Sequence, residues 1–403
     1  MTILSGIIIY SFRLREGQEH KSGAPTPTEA VSDGNDRTAD SSDGGNAPAV
    51  TTAPGITGSP DQTDFSASPV PTPAAVPEVA DEGPIVLTFA GDINLDEDSK
   101  PVARYDRQGQ GILGCISPEL VEEMNAADIM MLNNEFAYSL RGTEAQDKSY
   151  TFRADPKRVN ILKEMGVDIV SLANNHTLDF GVDALMDTFT ALEEADIDYV
   201  GAGINLERAK APIYYTLGDT RIAYLAASRV VFAMDWYATD TRPGMIGTYD
   251  PALLLEGIRE AKENSDFVVV YVHWGVERTN YPVEYQKTLA RQYIDAGADA
   301  VIGCHPHVLQ GMEFYQGKPI AYSLGNYWFN NTTRDAGLLK LYLEKDGSLK
   351  VQLLPTLGEN TYTSLITEAS KRKAYYSFMK EISFGVEFDD EGYMTETAID
   401  AGN

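Results

Sequence analysis

Five short segments end apolar runs with groups that bind metals or move protons. They are Phe89-Ala90-Gly91-Asp92, Leu132-Asn133-Asn134-Glu135, Leu172-Ala173-Asn174-Asn175-His176, Val272-His273-Trp274-Gly275 and Ile302-Gly303-Cys304-His305-Pro306-His307. Carboxylates, amides and imidazoles brought to one place make up the donor set of a divalent-metal centre. Taken singly each segment is ordinary: Gly-Asp follows many strands, Asn134-Glu135 is no stronger, and His273 suits a satisfied core histidine. His305-Pro306-His307 is the most specific, because alternation along an extended backbone would set both imidazoles on one side. Of the chain's five histidines only His20 lies outside these segments, and that joint order is the real signal.

The runs before the segments say what must position them. Residues 85–90, 128–133, 167–173, 267–272 and 300–303 are short and rich in β-branched or apolar side chains, as buried strands are. Between them, residues 118–126, 156–165, 182–195, 251–264 and 283–296 read as helices. Ser117-Pro118 and Asp155-Pro156 look like N-caps with proline at the first helical position, and Gly166 and Gly297 stand where a helix ends. Such alternation predicts an α/β domain with a largely parallel sheet. Three further pairs read as hairpins: 213–217 with 221–226, 312–315 with 319–323, and 338–343 with 349–353. They predict antiparallel additions or a second sheet packed on the first. Ligands of α/β sheets bind beyond the carboxyl ends of the strands, which is where all five segments fall.

Composition bounds the function. The chain has 403 residues and a formal net charge of −28, which argues against nucleic-acid binding. Its two cysteines cannot form a disulfide framework. The terminus 1–15 is an apolar run over residues 1–12 followed by Arg13 and Arg15, read as the remnant of a signal anchor or as a plain hydrophobic end. Residues 16–82 hold nine of the 20 prolines among Ser, Thr, Gly and Asp, and carry a net charge of −10. This composition predicts a disordered linker. Residues 83–358 then form the main domain and 359–403 an extension packed on it, without recognisable chemistry.

The segments Phe89–Asp92, Ala173-Asn-Asn-His-Thr-Leu-Asp-Phe-Gly181, His273-Trp-Gly-Val-Glu277, Gly303-Cys-His-Pro-His307 and Tyr322-Ser-Leu-Gly-Asn326 resemble the bacterial capsule-synthesis family CapA, associated with poly-γ-glutamate capsule. The resemblance covers roughly residues 85–358. That family in turn resembles the calcineurin-like metallophosphoesterases, which implies a four-layer α/β fold of two packed mixed sheets flanked by helices. It also implies two divalent ions (Mn, Fe or Zn) held by Asp92, Glu135, Asn175, His273, His305 and His307. His176 would be the proton donor, held and kept protonated by Asp179; otherwise Asp179 is an N-cap for the helix after it. The sequence departs from the phosphoesterase pattern. Asp92-Ile93-Asn94 replaces Asp-x-His, Asn134-Glu135 reduces the second motif, the third motif's acid moves to Asp179, and Cys304 is inserted before His305.

Two functional classes remain open on the sequence. One is a metal-dependent hydrolase or phosphoesterase acting on a phosphoester or an anionic polymer. The other is a non-catalytic scaffold or binding subunit of a capsule-synthesis or export complex. Either would be extracytoplasmic, at the cell surface or anchored to the membrane only through its N-terminus. Glu277 reads as a partner of His273 or a surface charge, Cys304 as a soft ligand or an inert buried thiol. Tyr327-Trp328-Phe329 forms a substrate wall or packs in the core, and Arg229 and Arg242 are candidate anion contacts.

Overall fold

The computed structural model describes residues 83–397, and the N-terminal segments 1–15 and 16–82 lie outside them. Two large mixed sheets account for most of the strands. The first contains β1 (Ile85–Ile93), β2 (Ile129–Asn134), β3 (Ile169–Ser171) and β4 (Asp198–Val200), which run parallel to one another. The second is formed by β5 (Ile213–Leu217), β6 (Thr220–Ser228), β7 (Phe267–His273), β8 (Ala300–Cys304), β9 (Leu309–Tyr315) and β10 (Lys318–Leu324), in the order β9-β10-β8-β7-β6-β5. The chain then returns to the first sheet with β11 (Asn326–Trp328), β12 (Arg334–Leu343), β13 (Leu349–Glu359) and β14 (Tyr362–Leu365), giving β14-β13-β12-β1-β2-β3-β4 with β11 against β1.

Strand alternation sorts the apolar side chains into two cores, as a period of two requires. On β7, Phe267, Val269 and Tyr271 pack between the sheets, while Val268, Val270 and Val272 face outward. The outward set is covered by the helices Ala252–Glu263 and Glu284–Ala296, whose Ile258, Ala261, Ala290 and Tyr293 are buried against it. Between the sheets, Phe89 meets Tyr224 with ring centroids 6.4 Å apart, and the Tyr271 hydroxyl donates to the Ala90 carbonyl at 2.7 Å. Further helices flank the first sheet, among them Pro118–Asn125 and Gly181–Glu194. The architecture is thus two packed mixed sheets flanked by helices. After β14 the helix Ala369–Ile382 packs across β9 and β13, with the Tyr375 hydroxyl donating to the Ala336 carbonyl at 2.9 Å.

The three expected hairpins are present and antiparallel: β5–β6, β9–β10 and β12–β13. The helix expected over 156–165 begins instead with a 3₁₀ turn, Pro156–Arg158, before Val159–Glu164. Asp155 does cap it, accepting from the Lys157 N–H at 3.0 Å. Among the described residues no helix is long and apolar enough to cross a membrane.

Candidate metal centre

Both sheets end at the site. The carboxyl ends of β1 and β2 carry Asp92 and Glu135, and those of β7 and β8 carry His273 and the His305–His307 turn. Asp92 reaches the site through an irregularity in β1, where register shifts between Phe89 and Asp92. The intervening Gly91 has no alternative, since a Cβ there would fall 1.9 Å from the Gly325 carbonyl oxygen. The Asp92 N–H donates to that oxygen at 3.0 Å, and this tie brings Asn326 of β11 alongside.

His305 and His307 correct the expectation of an extended backbone. β8 stops at Cys304, and both histidines adopt left-handed conformations, with φ of 95° and 57°. Such conformations cost a non-glycine residue on the order of 1–3 kcal/mol and persist where the surroundings fix them. Here the His305 N–H donates to Asp92 Oδ2 at 3.2 Å, and His307 Nδ1 meets Asn326 Oδ1 at 2.7 Å. The turn, rather than strand alternation, puts both rings on one side.

The side chains fall into overlapping groups whose donor atoms lie within 4.8 Å of one another: Asp92, Glu135 and His307; Glu135, His273 and His305; and Asp92, His273 and Cys304. Asn175 joins the second group, its Oδ1 2.7 Å from His273 Nε2. Glu135 is common to the first two. Its Oε1 is buried without a hydrogen-bond partner and stands 3.8 Å from His176 Nε2, 3.8 Å from His273 Nε2 and 3.9 Å from His307 Nε2. His305 Nδ1 is likewise buried and unpartnered. Buried carboxylate oxygens and imidazole nitrogens left unpaired are costly unless a cation completes them. The donor set therefore fits divalent metal. Asn94, in the place of the phosphoesterase motif's histidine, turns its Oδ1 to the Asp96 N–H at 2.8 Å.

Without a cation the cluster holds its charge unevenly. Burial pushes Glu135 well above the usual carboxylate range, reinforced by the Asp92 charge. Burial acts the same way on Asp92, but the His307 hydrogen bond and charge outweigh it and leave that pKa lowered. His307, for which burial alone would favour the neutral ring, is raised to about 9 by Glu135 and Asp92. Burial, with the neighbouring His307, drives His305 down to about 3, and burial with His305 and His307 takes His273 well below its ordinary value. Metal ligation needs deprotonated donors, so a cation held by Asp92, Glu135 and His307 would replace the proton shared among them.

His176 stands at the rim, its Nδ1 2.6 Å from Asp179 Oδ2 and its ring stacked on Phe152 at 4.3 Å between centroids. Asp179 is not a helix cap. The helix Gly181–Glu194 starts from Phe180 without a side-chain cap, while Asp179 Oδ2 accepts from the Phe152 N–H at 2.7 Å. Nothing in the sequence pointed to Lys148. Its ammonium donates to Asp179 Oδ1 and, at 2.7 Å, to the Asn175 carbonyl, and lies 2.9 Å from His176 Nδ1. The expectation that Asp179 keeps His176 protonated therefore changes. Burial, with Lys148 opposing Asp179, holds the His176 pKa below its usual value.

Asn133, which no motif of the sequence distinguishes, is the hub of the centre. Its Nδ2 donates to Asp92 Oδ1 at 2.8 Å and Glu135 Oε2 at 3.2 Å, while Asn174 Nδ2 donates to its Oδ1 at 3.1 Å. Phe329 packs on His307 with centroids 4.6 Å apart, so it walls the site, whereas Tyr327 and Trp328 are core. Cys304 Sγ is 3.3 Å from His273 Nδ1, and burial, then Asp92 and Glu135, raise its thiol pKa far enough to keep it neutral. Glu277 is exposed, and Arg242 donates to the Tyr237 carbonyl at 3.1 Å.

Fold and site together define an α/β protein with a buried carboxylate–imidazole centre where two sheets converge. The chain belongs to the bacterial capsule synthesis protein family PGA_cap, whose model matches residues 86–331. It is 33% identical over 313 residues to the capsule biosynthesis protein CapA of Bacillus anthracis, covering 75% of this chain and 74% of that one. It is 35% identical over 250 residues to the PGA biosynthesis protein CapA of Bacillus subtilis strain 168, covering 60% and 65%. A probable polyglutamine synthesis accessory protein of Mycobacterium tuberculosis is 33% identical over 215 residues, covering 51% and 57%. Among solved structures, a hypothetical protein from Thermus thermophilus aligns distantly, with a TM-score of 0.42 at 18% identity over 68% of this chain and 98% of that one.

Proposed function

We propose that the chain serves capsule (poly-γ-glutamate) or exopolymer biosynthesis at the cell surface, outside the cytoplasm, through a dinuclear-metal, phosphoesterase-like centre. The observation that carries this is Glu135, whose unpartnered Oε1 lies among three imidazoles and is common to two donor groups. Asp92, Glu135 and His307 would hold one ion; Glu135, Asn175, His273 and His305 the other. Such ions supply Lewis acidity and lower the pKa of water. The mixed oxygen and nitrogen donors suit Mn, Fe or Zn.

The chain's own groups do the rest. Asn133 orients both carboxylates, and Asn174 orients Asn133 and accepts from the His176 N–H at 3.0 Å. Phe152 and Asp179 fix the His176 ring so that Nε2 faces the centre, where it gives a proton to or takes one from a leaving group. Burial of Asp92, Glu135 and His273 excludes bulk water. The substrate would be a phosphoester or an anionic polymer, and the partners other capsule-synthesis subunits.

The test is hydrolysis of an aryl phosphodiester by metal-loaded protein. His176→Ala should lower turnover by about 10²–10⁴-fold while metal content is unchanged, the usual contribution of a positioned acid or base. Equal turnover would remove His176 from that role. The competing reading, a non-catalytic scaffold, is favoured by Asn94, which gives the first ion one ligand fewer than the phosphoesterase pattern. Metal-loaded protein without any hydrolytic activity would favour it.

A further inference from the structure

We infer that Arg229, Tyr237, Thr248 and Tyr293 form an oxyanion-binding pocket just past the carboxyl end of β6, on the helix-covered face of the second sheet, taking the carboxylate or phosphate that a substrate presents away from the reacting bond. Arg229 follows β6 directly, and its N–H donates to the His273 carbonyl at 2.8 Å, so its backbone is tied to the centre. Its guanidinium is stacked between aromatic rings, with Cζ 3.6 Å from the Tyr249 centroid and 5.1 Å from that of Tyr285. Nη1 is buried and makes no hydrogen bond. Among the described residues no carboxylate pairs with this guanidinium, although the chain contains 60 acidic residues.

Three buried hydroxyls lie beside it. Tyr237 Oη has no partner, while the Thr248 hydroxyl donates to Tyr293, whose own hydrogen is left without an acceptor. The Thr248 N–H donates to the Ser228 carbonyl at 2.9 Å, one residue before Arg229. The Tyr237 ring lies against Gly247, where a Cβ would fall 2.1 Å from the ring and 2.6 Å from its oxygen. The Arg229 charge acts on the Tyr293 phenol. Native proteins leave few buried polar atoms unpaired, and an unpaired cation with three hydroxyls around it calls for a common acceptor. The guanidinium and the Tyr237 and Tyr293 hydroxyls have hydrogens to donate, and an oxyanion only accepts, so one ligand satisfies all three. Tyr249 is 56% exposed and forms the outer wall, so a turn of its side chain opens the pocket.

This deepens the proposed function by naming what holds the anionic substrate, and it rests on that reading only for the substrate's identity. The test therefore uses full-length protein in excess chelator, titrated calorimetrically with glutarate and, separately, with inorganic phosphate. At least one should bind saturably in the millimolar range. Arg229→Met should weaken it at least about tenfold and Thr248→Val about three- to tenfold, the worth of a charged and a neutral hydrogen bond. Arg229→Lys should also bind less tightly, because a point charge cannot give two parallel bonds. Glutarate without phosphate assigns a carboxylate, and the reverse assigns a phosphate. Asp92→Ala should leave the affinity intact, so the pocket stands or falls apart from the metal centre. If Arg229→Met does not fold, Thr248→Val decides. Saturation by neither anion, or wild-type affinity in the folded variants, means that the cavity holds only water and overturns the proposal.

Discussion

Glu135 and Asn133 set the terms at the scale of single residues. Glu135 is shared between two donor groups, and Asn133 is the amide that aims Glu135 and Asp92 toward each other. Groups that orient metal ligands are typically worth 10–100-fold in affinity. Asn133→Ala should therefore weaken metal binding by about that factor, measured by competition with a chromogenic chelator. Unchanged affinity would reduce Asn133 to a filler of space. The Asp, Glu and His candidates were legible because each closes an apolar run. Lys148 was not, since it sits in the irregular stretch before the short strand Arg153–Ala154, where no periodicity marks it. The His305–His307 turn was misjudged for a related reason: only the left-handed backbone reveals how the two rings come together.

Elements position these residues by where they stop. Strand period and hairpin turn signals survive in the sequence because each strand is buried on faces that differ in partner, as the split of β7 between two cores shows. The return of β11–β14 to the first sheet was not legible, since nothing local says which sheet a strand will join. The opposite ends of the parallel strands carry their own acids. Asp128 Oδ2 accepts from the Val86 N–H and Asp168 Oδ2 from the Met130 N–H, each at 2.7 Å, and Asp198 Oδ2 accepts from the Tyr215 hydroxyl at 2.6 Å. Burial pushes Asp168 up to about 6 despite the Met130 N–H, and the charges of Asp198 and Asp128 add to it. A raised folded-state pKa gives a contribution fully present below the unfolded value and lost as pH rises through the folded one. Asp168→Asn keeps the acceptor and removes the charge. It should raise stability by about 2 kcal/mol at pH 8 and hardly at all near pH 4, read from urea melts at the two pH values. An equal gain at both would show that charge is not the cause.

At the scale of the whole molecule, a net charge of −28 repels anionic substrates at long range. Physiological salt screens such repulsion beyond about 8 Å, so local cations decide binding. The described fold carries Lys148 beneath His176 and Arg229 one residue beyond β6, and the proposed metal ions would add theirs at the same strand ends. The central claim is the metal centre. Metal analysis of the full-length protein, loaded with Mn²⁺ or Zn²⁺ and desalted, tests it most directly. The expected result is about two ions per chain, the number a clamp on attacking and leaving oxygens requires, with loss in Asp92→Ala and in His305→Ala. Wild-type protein that retains no metal after loading, or variants that retain as much as wild type, would contradict it.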